Sequence, residues 1–185
     1  MGQVEHFYAR DLKAWHNWLK TNHAKEKSVW LVYDKKSALG ISEIINEALC
    51  WGWVDSKGGS VDEKQSKIYV SQRRPGSTWS RVNKDKIERL IKDNRMQPAG
   101  LAKITAAKKD GSWTLLDDVE NLVVPTDLQR EFAKNKAARD YFATFPPGSK
   151  KQILWWIKSA KLQKTRQERI KITVEMAARN IRANQ

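Results

Sequence analysis

The hydrophobic positions near the start of the chain repeat first with the period of a helix and then with that of a strand. In 11-DLKAWHNWLKTN-22 the apolar side chains recur at helical spacing, and Asp11 stands where a helix cap is expected. The next segment, 28-SVWLVYDKKS-37, is rich in β-branched and aromatic residues, a composition typical of a strand. We therefore expect a helix over 11–22 followed by a strand over 28–37.

The change between helical and strand patterns continues to residue 72. Ser42 is expected to cap a short helix over 43–51, which Gly52 ends. Residues 53–56 and 67–72 then predict two strands around a polar turn. The order helix, strand, helix, strand, strand predicts an α+β fold whose sheet is small and mostly antiparallel, with flanking helices.

From Ser80 onward the pattern is helical. Helices over 84–93 and 99–109 lead into a loop and then into 122-LVVPTD-127, the best candidate for a domain boundary. Beyond this boundary the pattern predicts four further helices, near 127–135, 137–144, 150–162 and 166–181.

Capping-box patterns mark the last two of these helices. Ser149 and Thr165 are each followed three residues later by Gln or Glu, so each is expected to cap the helix that follows it. The chain is therefore expected to consist of an α+β region over 1–125 and an all-helical module over 126–185.

The amino-acid composition is typical of a globular protein. Of the 185 residues 40% are hydrophobic and 30% are charged, and no apolar run is long enough to cross a membrane. The start, MGQVEHFYAR, lacks the apolar core of a signal peptide, and the single Cys50 has no partner for an internal disulfide. These features predict a cytoplasmic protein without membrane insertion.

The net charge of +14 is concentrated in the last third of the chain. Residues 126–185 carry 14 Lys and Arg against 5 Asp and Glu. A basic segment of this kind attracts nucleic acid, anionic lipid or acidic protein, but a solvated helix surface has the same composition. Both interpretations stay open at this point.

The common catalytic and cofactor motifs are missing from the sequence. There is no nucleophile elbow, no Walker motif, no dinucleotide fingerprint and no His-Glu-x-x-His. His6, His16 and His23 do not have the spacing of metal ligands. We therefore expect no metal and no cofactor.

Two segments, 51-WGWVDS-56 and 73-RRPGSTWSRVN-83, concentrate residue types that an ordinary core does not need. In a strand, Trp51, Trp53 and Asp55 would share one face, beside the arginines that end the following strand. An Arg side chain binds carboxylate or phosphate with two hydrogen bonds and also stacks on Trp.

These residues predict a ligand site that is lined by tryptophan rings and arginine side chains. Serines and an asparagine at three-residue spacing would line the entrance of the next helix, where backbone N–H groups favour an anion. The expected site consists of Trp51, Trp53, Asp55, Arg73, Arg74, Ser77, Trp79, Ser80 and Asn83. The alternative is a packed lattice, in which Asp55 pairs with an Arg, Ser80 or Asn83 caps a helix, and the Trp rings belong to the core.

The same segments resemble the YdeI/OmpD-associated family. The resemblance rests on Lys35-Lys36, the run from Ala48 to Asp55, Arg73-Arg74-Pro75 with Ser77, Trp79, Ser80 and Asn83, Met96 with Pro98-Ala99-Gly100, and in the tail Asp127-Leu128, Phe142, Trp156-Ile157, Ala160-Lys161, Thr165-Arg166 and Arg169-Ile170. It implies an N-terminal part like the YjbR/CyaY α+β group and a small helical C-terminal module. The family names imply a connection with bacteriocin protection and with an outer-membrane porin, and they imply no reaction, cofactor or catalytic residue.

Three residues depart from the family pattern. Gln72 replaces a Pro that is usual before the arginines, Gly76 replaces a common basic residue, and Asn94 replaces a Gly. We expect these changes to loosen the loop around Arg73.

Together these features favour a cytoplasmic bacterial binding protein in stress or antimicrobial-peptide tolerance, with a small anion or an acidic protein as its partner. At a net charge of +14 it should repel cationic peptides, so protection by direct sequestration is not expected. One alternative is a nucleic-acid-associated module that uses the basic helices after residue 126, with weak binding and no sequence preference. Another is an enzyme with Asp55 as acid or base and Ser77 or Ser80 as nucleophile, although no His lies near in sequence to activate a serine.

Overall fold

The computed structural model describes residues 4–37 and 39–184, and its fold is α+β, as predicted. The chain forms two compact units, Met1–Leu115 and Leu116–Gln185. A four-stranded sheet with flanking helices lies in the first, and the second is helical. Within the described residues, no helix is both long enough and apolar enough to span a membrane.

The N-terminal unit is built on a mixed sheet. Its elements are β1 (His6–Tyr8), α1 (Leu12–Asn22), β2 (Ser28–Asp34), α2 (Ile41–Cys50), β3 (Trp53–Ser60), β4 (Gln65–Gln72), α3 (Arg81–Lys92) and α4 (Pro98–Asp110). The strand order is β1-β2-β4-β3; β1 runs parallel to β2, and the other pairs are antiparallel. The short strand β1 was not predicted, because three residues carry too little pattern and this strand owes its conformation to pairing with β2.

The two faces of the sheet differ in character. One face packs into the core of the unit through alternate apolar residues of the two central strands, namely Val29, Leu31, Ile68 and Val70. The other face, called here the outer face, carries Trp30 of β2 directly opposite Tyr69 of β4, and both side chains are partly exposed. The core therefore does not require the outer face to be aromatic.

The predicted start of α1 is confirmed and that of α2 is wrong. The carboxylate of Asp11 accepts a hydrogen bond from the backbone N–H of Ala14 at 2.7 Å and caps α1. Helix α2 begins at Ile41, with Gly40 in the capping position, so Ser42 already lies inside the helix. Gly40 takes an extended backbone conformation there, and a helix can start after such a residue without a side-chain cap.

The end of α2 corrects the predicted position of Trp51. Trp51 is the C-terminal cap of α2 and does not belong to β3, so it does not alternate with Trp53 along a strand. Gly52, with φ +75°, lies between them and makes the left-handed turn that leads from helix to strand.

Helix α4 packs very closely against this turn. A Cβ atom on Gly100 would lie 2.2 Å from the carbonyl oxygen of Cys50, and one on Gly52 would lie 2.6 Å from Cγ of Lys103. Glycine at both positions therefore lets α4 lie against the α2–β3 turn and brings Lys103 beside the end of β4.

The C-terminal unit is helical, as predicted. It contains α5 (Asp117–Glu120), α6 (Thr126–Lys134), α7 (Lys136–Thr144), α8 (Pro147–Lys158) and α9 (Gln163–Ala178). Its core includes Leu128, Phe132, Ala138, Phe142, Ile153, Leu154, Ile157, Ile170 and Ala177.

The two predicted capping boxes of this unit are wrong. Helices α8 and α9 begin at Pro147 and Gln163, so Ser149 and Thr165 lie within their first turns and do not cap them. Pro147 starts α8 earlier because its fixed φ suits a first helical position and it has no N–H to satisfy. In α7, by contrast, the side chain of Asn135 caps the helix.

Candidate functional site

Arg73 is the buried cation around which the candidate site is built. It follows directly after β4, is 4% exposed, and its backbone N–H donates to the carbonyl of Gly52 at 3.0 Å. Its guanidinium carbon lies 3.7 Å from the ring centroid of Trp79, and its Nη1 donates to the carbonyl of Thr78 at 2.8 Å. The side chain is therefore held over an aromatic ring in a defined position.

No neighbouring carboxylate neutralises the charge of Arg73. Within the described parts of the chain, no Asp or Glu lies at ion-pair distance from it, and its buried Nε donates no hydrogen bond. Burial lowers the pKa of Arg73 to about 10, and the negative charge of Asp55 opposes this shift. Because a buried cation without a counter-charge is destabilising, an anion that reached this guanidinium would be bound favourably.

Arg74 is presented by a tight turn. Pro75 and Gly76 occupy its central positions, Gly76 has φ +70°, and both the N–H and the hydroxyl of Ser77 donate to the carbonyl of Arg74, at 3.2 and 2.7 Å. This is the pattern of a type II turn. The N–H of Gly76 also donates to the carboxylate of Asp110 at 3.2 Å, which ties the turn to α4. The Arg74 side chain is left exposed.

Two cavities lie beside these arginines. The larger, called here the Arg73 cavity, has a volume of about 310 Å³, and its described lining residues include four basic side chains and no carboxylate. It is lined by Lys27, Ser28, Tyr69, Ser71, Gln72, Arg73, Arg74, Pro75 and Lys103. The smaller has a volume of about 90 Å³ and also borders Arg73, Arg74 and Lys103, together with Trp79 and Asp110.

The first two tryptophans of the predicted site lie in the core. Trp53 is fully buried, and its Nε1 donates to the carbonyl of His23 at 3.2 Å. The Nε1 of Trp51 donates to the carboxylate of Glu47 at 3.0 Å. Neither ring lines the Arg73 cavity. Trp79 is also buried, but it contributes to the site by stacking on Arg73.

The polar members of the predicted site are divided between several roles. Asp55 pairs in register with Val70 and acts on Arg73 only through its charge. Ser80 caps α3, its hydroxyl accepting from the backbone N–H of Asn83 at 3.3 Å. Ser77 holds the turn at Arg74. The structure thus brings Arg73, Arg74 and Trp79 together, with Ser77 in the turn beside them, whereas Trp51 and Trp53 lie in the core and Ser80 and Asn83 form the cap of α3.

The sequence did not reveal three residues that line the Arg73 cavity, namely Lys27, Tyr69 and Lys103. Lys27 precedes β2, and Lys103 comes from α4, so both reach the cavity through tertiary packing. One available signal was Gly100, since a glycine inside a helix often marks a close approach, and Lys103 lies one turn further along the same face.

Each of the three residues that depart from the family pattern has a defined place in the structure. The side-chain amide of Gln72 donates to the carbonyls of His23 and Glu26, at 2.8 and 2.9 Å, and fixes the end of β4 to the loop after α1. Gly76 makes the turn possible, and Asn94 takes the left-handed conformation that ends α3, with φ 55°. Each of the three residues thus satisfies a local backbone requirement, and the expectation of a looser loop stays a prediction.

A second polar cluster surrounds the buried carboxylate of Glu47. It accepts from Trp51, lies 2.8 Å from Nδ1 of His16 and 3.6 Å from Nη2 of Arg95. Beneath it, burial and the charge of Glu47 raise the pKa of the Cys50 thiol to about 12. The carboxylate is satisfied within the fold, and in the described part of the chain no group of His, Cys, Asp and Glu is arranged to hold a metal.

The C-terminal unit has a groove of its own. A cavity of about 710 Å³ is lined by residues of α6 and α9, including Arg130, Lys134 and Lys171 but also Asp127, Glu131 and Glu175. Because three basic and three acidic side chains line the groove, it favours neither an anionic nor a cationic ligand.

Comparison with known families gives two matches. Residues 7–103 match the family described as "Domain of unknown function (DUF8412)", and residues 121–180 match the family described as "Bacteriocin-protection, YdeI or OmpD-Associated". Comparison with curated proteins and with solved structures gave no match. The N-terminal match gives no support to the expected YjbR/CyaY likeness, whereas the second match supports the expected family. The chain therefore belongs to the DUF8412 family, whose match lies in the N-terminal unit, and residues 121–180 of the C-terminal unit are similar to the family described as bacteriocin-protection, YdeI or OmpD-associated.

Proposed function

We propose that the protein is a binding protein that holds a small anion, bearing phosphate or carboxylate groups, in the Arg73 cavity. The observation that carries this proposal is the Arg73 guanidinium, which is buried, stacked on Trp79 and without an anionic partner among the described residues. Within the cavity, Tyr69 and Pro75 supply apolar surface beside the cations, and ligand sites commonly combine apolar lining with a few fixed polar groups.

The surroundings of Arg73 suit an anion. Arg74 and Lys103 border the same cavity, as does Lys27 from the start of β2, so four cations surround one space. Charge-assisted hydrogen bonds from such groups are roughly twice as strong as those between neutral groups. A volume of about 310 Å³ is at the lower end of small-molecule sites and has room for a phosphate or a dicarboxylate with some water.

The biological setting of this proposal comes from the family. The match of residues 121–180 supports a role in bacteriocin protection. Tolerance of antimicrobial peptides and a location in the bacterial cytoplasm belong to the proposal and rest on the sequence alone. Because the chain has a net charge of +14, the protective effect would depend on an anionic ligand or an acidic partner rather than on binding of cationic peptides.

Other functions receive less support from the described contacts. Three cations of the basic tail are engaged within the C-terminal unit: Lys151 with Glu120, Lys158 with Asp118, and Arg166 with Asp127 through two hydrogen bonds. These pairs argue against the basic helices as a nucleic-acid face.

The enzymatic alternative is weakened in a similar way. The hydroxyl of Ser77 is used in the Arg74 turn and that of Ser80 in the cap of α3, so neither is presented as a nucleophile. Among the described residues, the hydrogen bonds of these two hydroxyls do not involve Asp55, so Asp55 does not activate either serine there.

Titration calorimetry of the whole chain with phosphate, and separately with succinate, tests the proposal. We expect binding of at least one anion in about 50 mM salt, weakened about 10-fold or more in Arg74→Ala, because a hydrogen bond to a charged group contributes ~1.5–3 kcal/mol. Arg89→Ala is the matched control, since Arg89 is an exposed arginine of α3 that lies outside the cavity. Binding of neither anion, or equal weakening by both substitutions, would refute the proposal.

A further inference from the structure

The outer face of the sheet carries a row of aromatic rings from three adjacent strands. Trp30 of β2 lies opposite Tyr69 of β4, with ring centroids 5.2 Å apart and planes at 73°. On the other side, His6 of β1 lies opposite Trp30, with centroids 6.3 Å apart. Since the core uses the opposite face, these rings are available to a partner.

Two lysines accompany the row. Nζ of Lys67 lies 4.8 Å from the ring centroid of Trp30, and Nζ of Lys57 lies 5.4 Å from the same ring and 5.6 Å from that of Tyr69. Lys57 comes from the irregular part of β3 between Asp55 and Gly58, which brings its side chain over the row. Within the described residues, no carboxylate is at ion-pair distance from either ammonium group.

An acidic residue, Asp34, lies at one end of this face and is already engaged there. The carboxylate of Asp34, at the end of β2, accepts from the hydroxyl of Tyr8 at 2.6 Å and from the amide of Gln65 at 3.2 Å. At the opposite end the face continues through Ser28 and Ser71 into the Arg73 cavity. The middle and this second end of the face are therefore positively charged.

We propose that the outer face binds single-stranded nucleic acid, with bases stacked on Trp30 and Tyr69 and backbone phosphates held by Lys57 and Lys67. Proteins that bind single strands without strong sequence preference combine these two features, aromatic side chains on a sheet and a basic track for the backbone. The lysine side chains are flexible, so they can move from the ring faces to phosphates when a base arrives.

The chemistry favours a nucleic acid over an acidic polypeptide. An acidic segment would use the lysines but would leave the aromatic row exposed to water, whereas a single strand uses both. A duplex could not use the rings in this way, because its bases are stacked on one another. The inference stands on the sheet residues and goes beyond the proposed anion site.

The experiment is the anisotropy of a fluorescently labelled dT12 strand titrated with the whole chain in about 50 and about 200 mM salt. We expect binding that weakens steeply with salt, since phosphate contacts release counterions. We also expect a duplex of the same length to bind more weakly than the single strand, because the rings discriminate between them.

Trp30→Ala should weaken binding of dT12 by about 5-fold to about 150-fold, the range found for loss of one stacked base. Trp30→Phe keeps a ring and should retain most of the affinity, which separates loss of stacking from loss of folding. Tyr141→Ala is the aromatic control, because Tyr141 is an exposed residue of α7 in the other unit.

Substitution of Lys57 and Lys67 is a second, independent test of the proposal. Lys57→Ala combined with Lys67→Ala should weaken binding and reduce its salt dependence, whereas Lys92→Ala combined with Lys109→Ala removes the same charge from exposed helical positions and should have less effect.

The inference is overturned if the duplex binds as tightly as dT12, if Trp30→Ala weakens binding no more than Tyr141→Ala, or if an oligo-glutamate of the same length competes with equal affinity. Trp30→Ala should leave phosphate binding at the Arg73 cavity intact. Failure of the sheet proposal is therefore distinguishable from failure of the proposed function.

Discussion

At the scale of single residues, Arg73 is a charge that the fold keeps buried with no counter-charge at ion-pair distance among residues 4–37 and 39–184. The stack on Trp79 and the hydrogen bond to Thr78 orient the guanidinium but leave its Nε without an acceptor. A buried charge without a partner is costly to folding, and a bound anion would offset that cost. The contrast with Arg166, whose guanidinium is paired with Asp127 by two hydrogen bonds, shows what a structural arginine looks like in the same chain.

Arg73→Met tests this difference. Because the substitution removes a buried unpaired charge and keeps a side chain of similar volume, we expect the free energy of unfolding without ligand to change by no more than about 1 kcal/mol. Phosphate should no longer raise the urea midpoint of the variant, although it does so for the unsubstituted chain. A loss above about 3 kcal/mol would mean that Arg73 is paired in the native protein and serves stability.

At the scale of elements, the site depends on where α4 packs. Gly52 and Gly100 allow the helix to approach the α2–β3 turn, and this approach sets the positions of Lys103 and Asp110. Both contribute to the surroundings of the Arg74 turn, one as a cation of the cavity and the other as an acceptor for Gly76. The site is thus assembled from one strand end, one turn and one helix.

Gly100→Ala should therefore weaken both stability and ligand binding. Its Cβ would lie 2.2 Å from the carbonyl oxygen of Cys50, so α4 must move, at a cost of about 1–3 kcal/mol or more in urea unfolding. Gly59→Ala, in β3, is the control, because no atom lies within 4 Å of the added Cβ. We expect that variant to be neutral or slightly more stable. Equal stability of the two variants would contradict the close approach.

The sequence predicted the parts of the site that are contiguous and missed those that packing brings in. Arg73, Arg74 and Trp79 lie within seven residues around a Pro-Gly turn, and such local chemistry is visible in a sequence. Trp51 was expected both at the end of the helix over 43–51 and on the strand face of Trp53, because the residue at a helix end has no clear period, and the structure makes it the C-terminal cap of α2. Lys103 could not be predicted, because its place depends on a close helix approach.

The fold was predictable to a similar extent. Long periodic segments such as that of α1 and β2 gave the correct type of element, since each buries a continuous face. The starts of α8 and α9 were misplaced, because a capping-box pattern is short and the structure satisfies these helix starts without it. Local patterns decide which element forms, and packing decides where it begins.

At the scale of the whole molecule, the net charge of +14 determines which partners approach it. Several cations of the C-terminal unit are engaged in ion pairs, while in the N-terminal unit four cations line the Arg73 cavity and two lie over the outer face. Attraction of anions and repulsion of cations is therefore a property of the surface as a whole, and it weakens as salt screens it.

A cationic peptide should consequently not bind. We expect a labelled deca-lysine to show no change in anisotropy on addition of the protein in about 50 mM salt, whereas a labelled deca-glutamate shows weak binding that disappears in about 200 mM salt. Tight binding of the lysine peptide would overturn the view that protection cannot proceed by sequestration.

The contact between Gly100 and the carbonyl of Cys50 also has a chemical consequence. Cys50 is the only cysteine of the chain, its side chain is fully buried, and burial together with the charge of Glu47 raises its thiol pKa to about 12. At neutral pH it is therefore protonated and shielded, so alkylating reagents and mild oxidants have neither a thiolate to attack nor a path to it. The thiol can therefore be modified only when the N-terminal unit opens. The rate at which a reagent modifies Cys50 then measures how often that opening occurs.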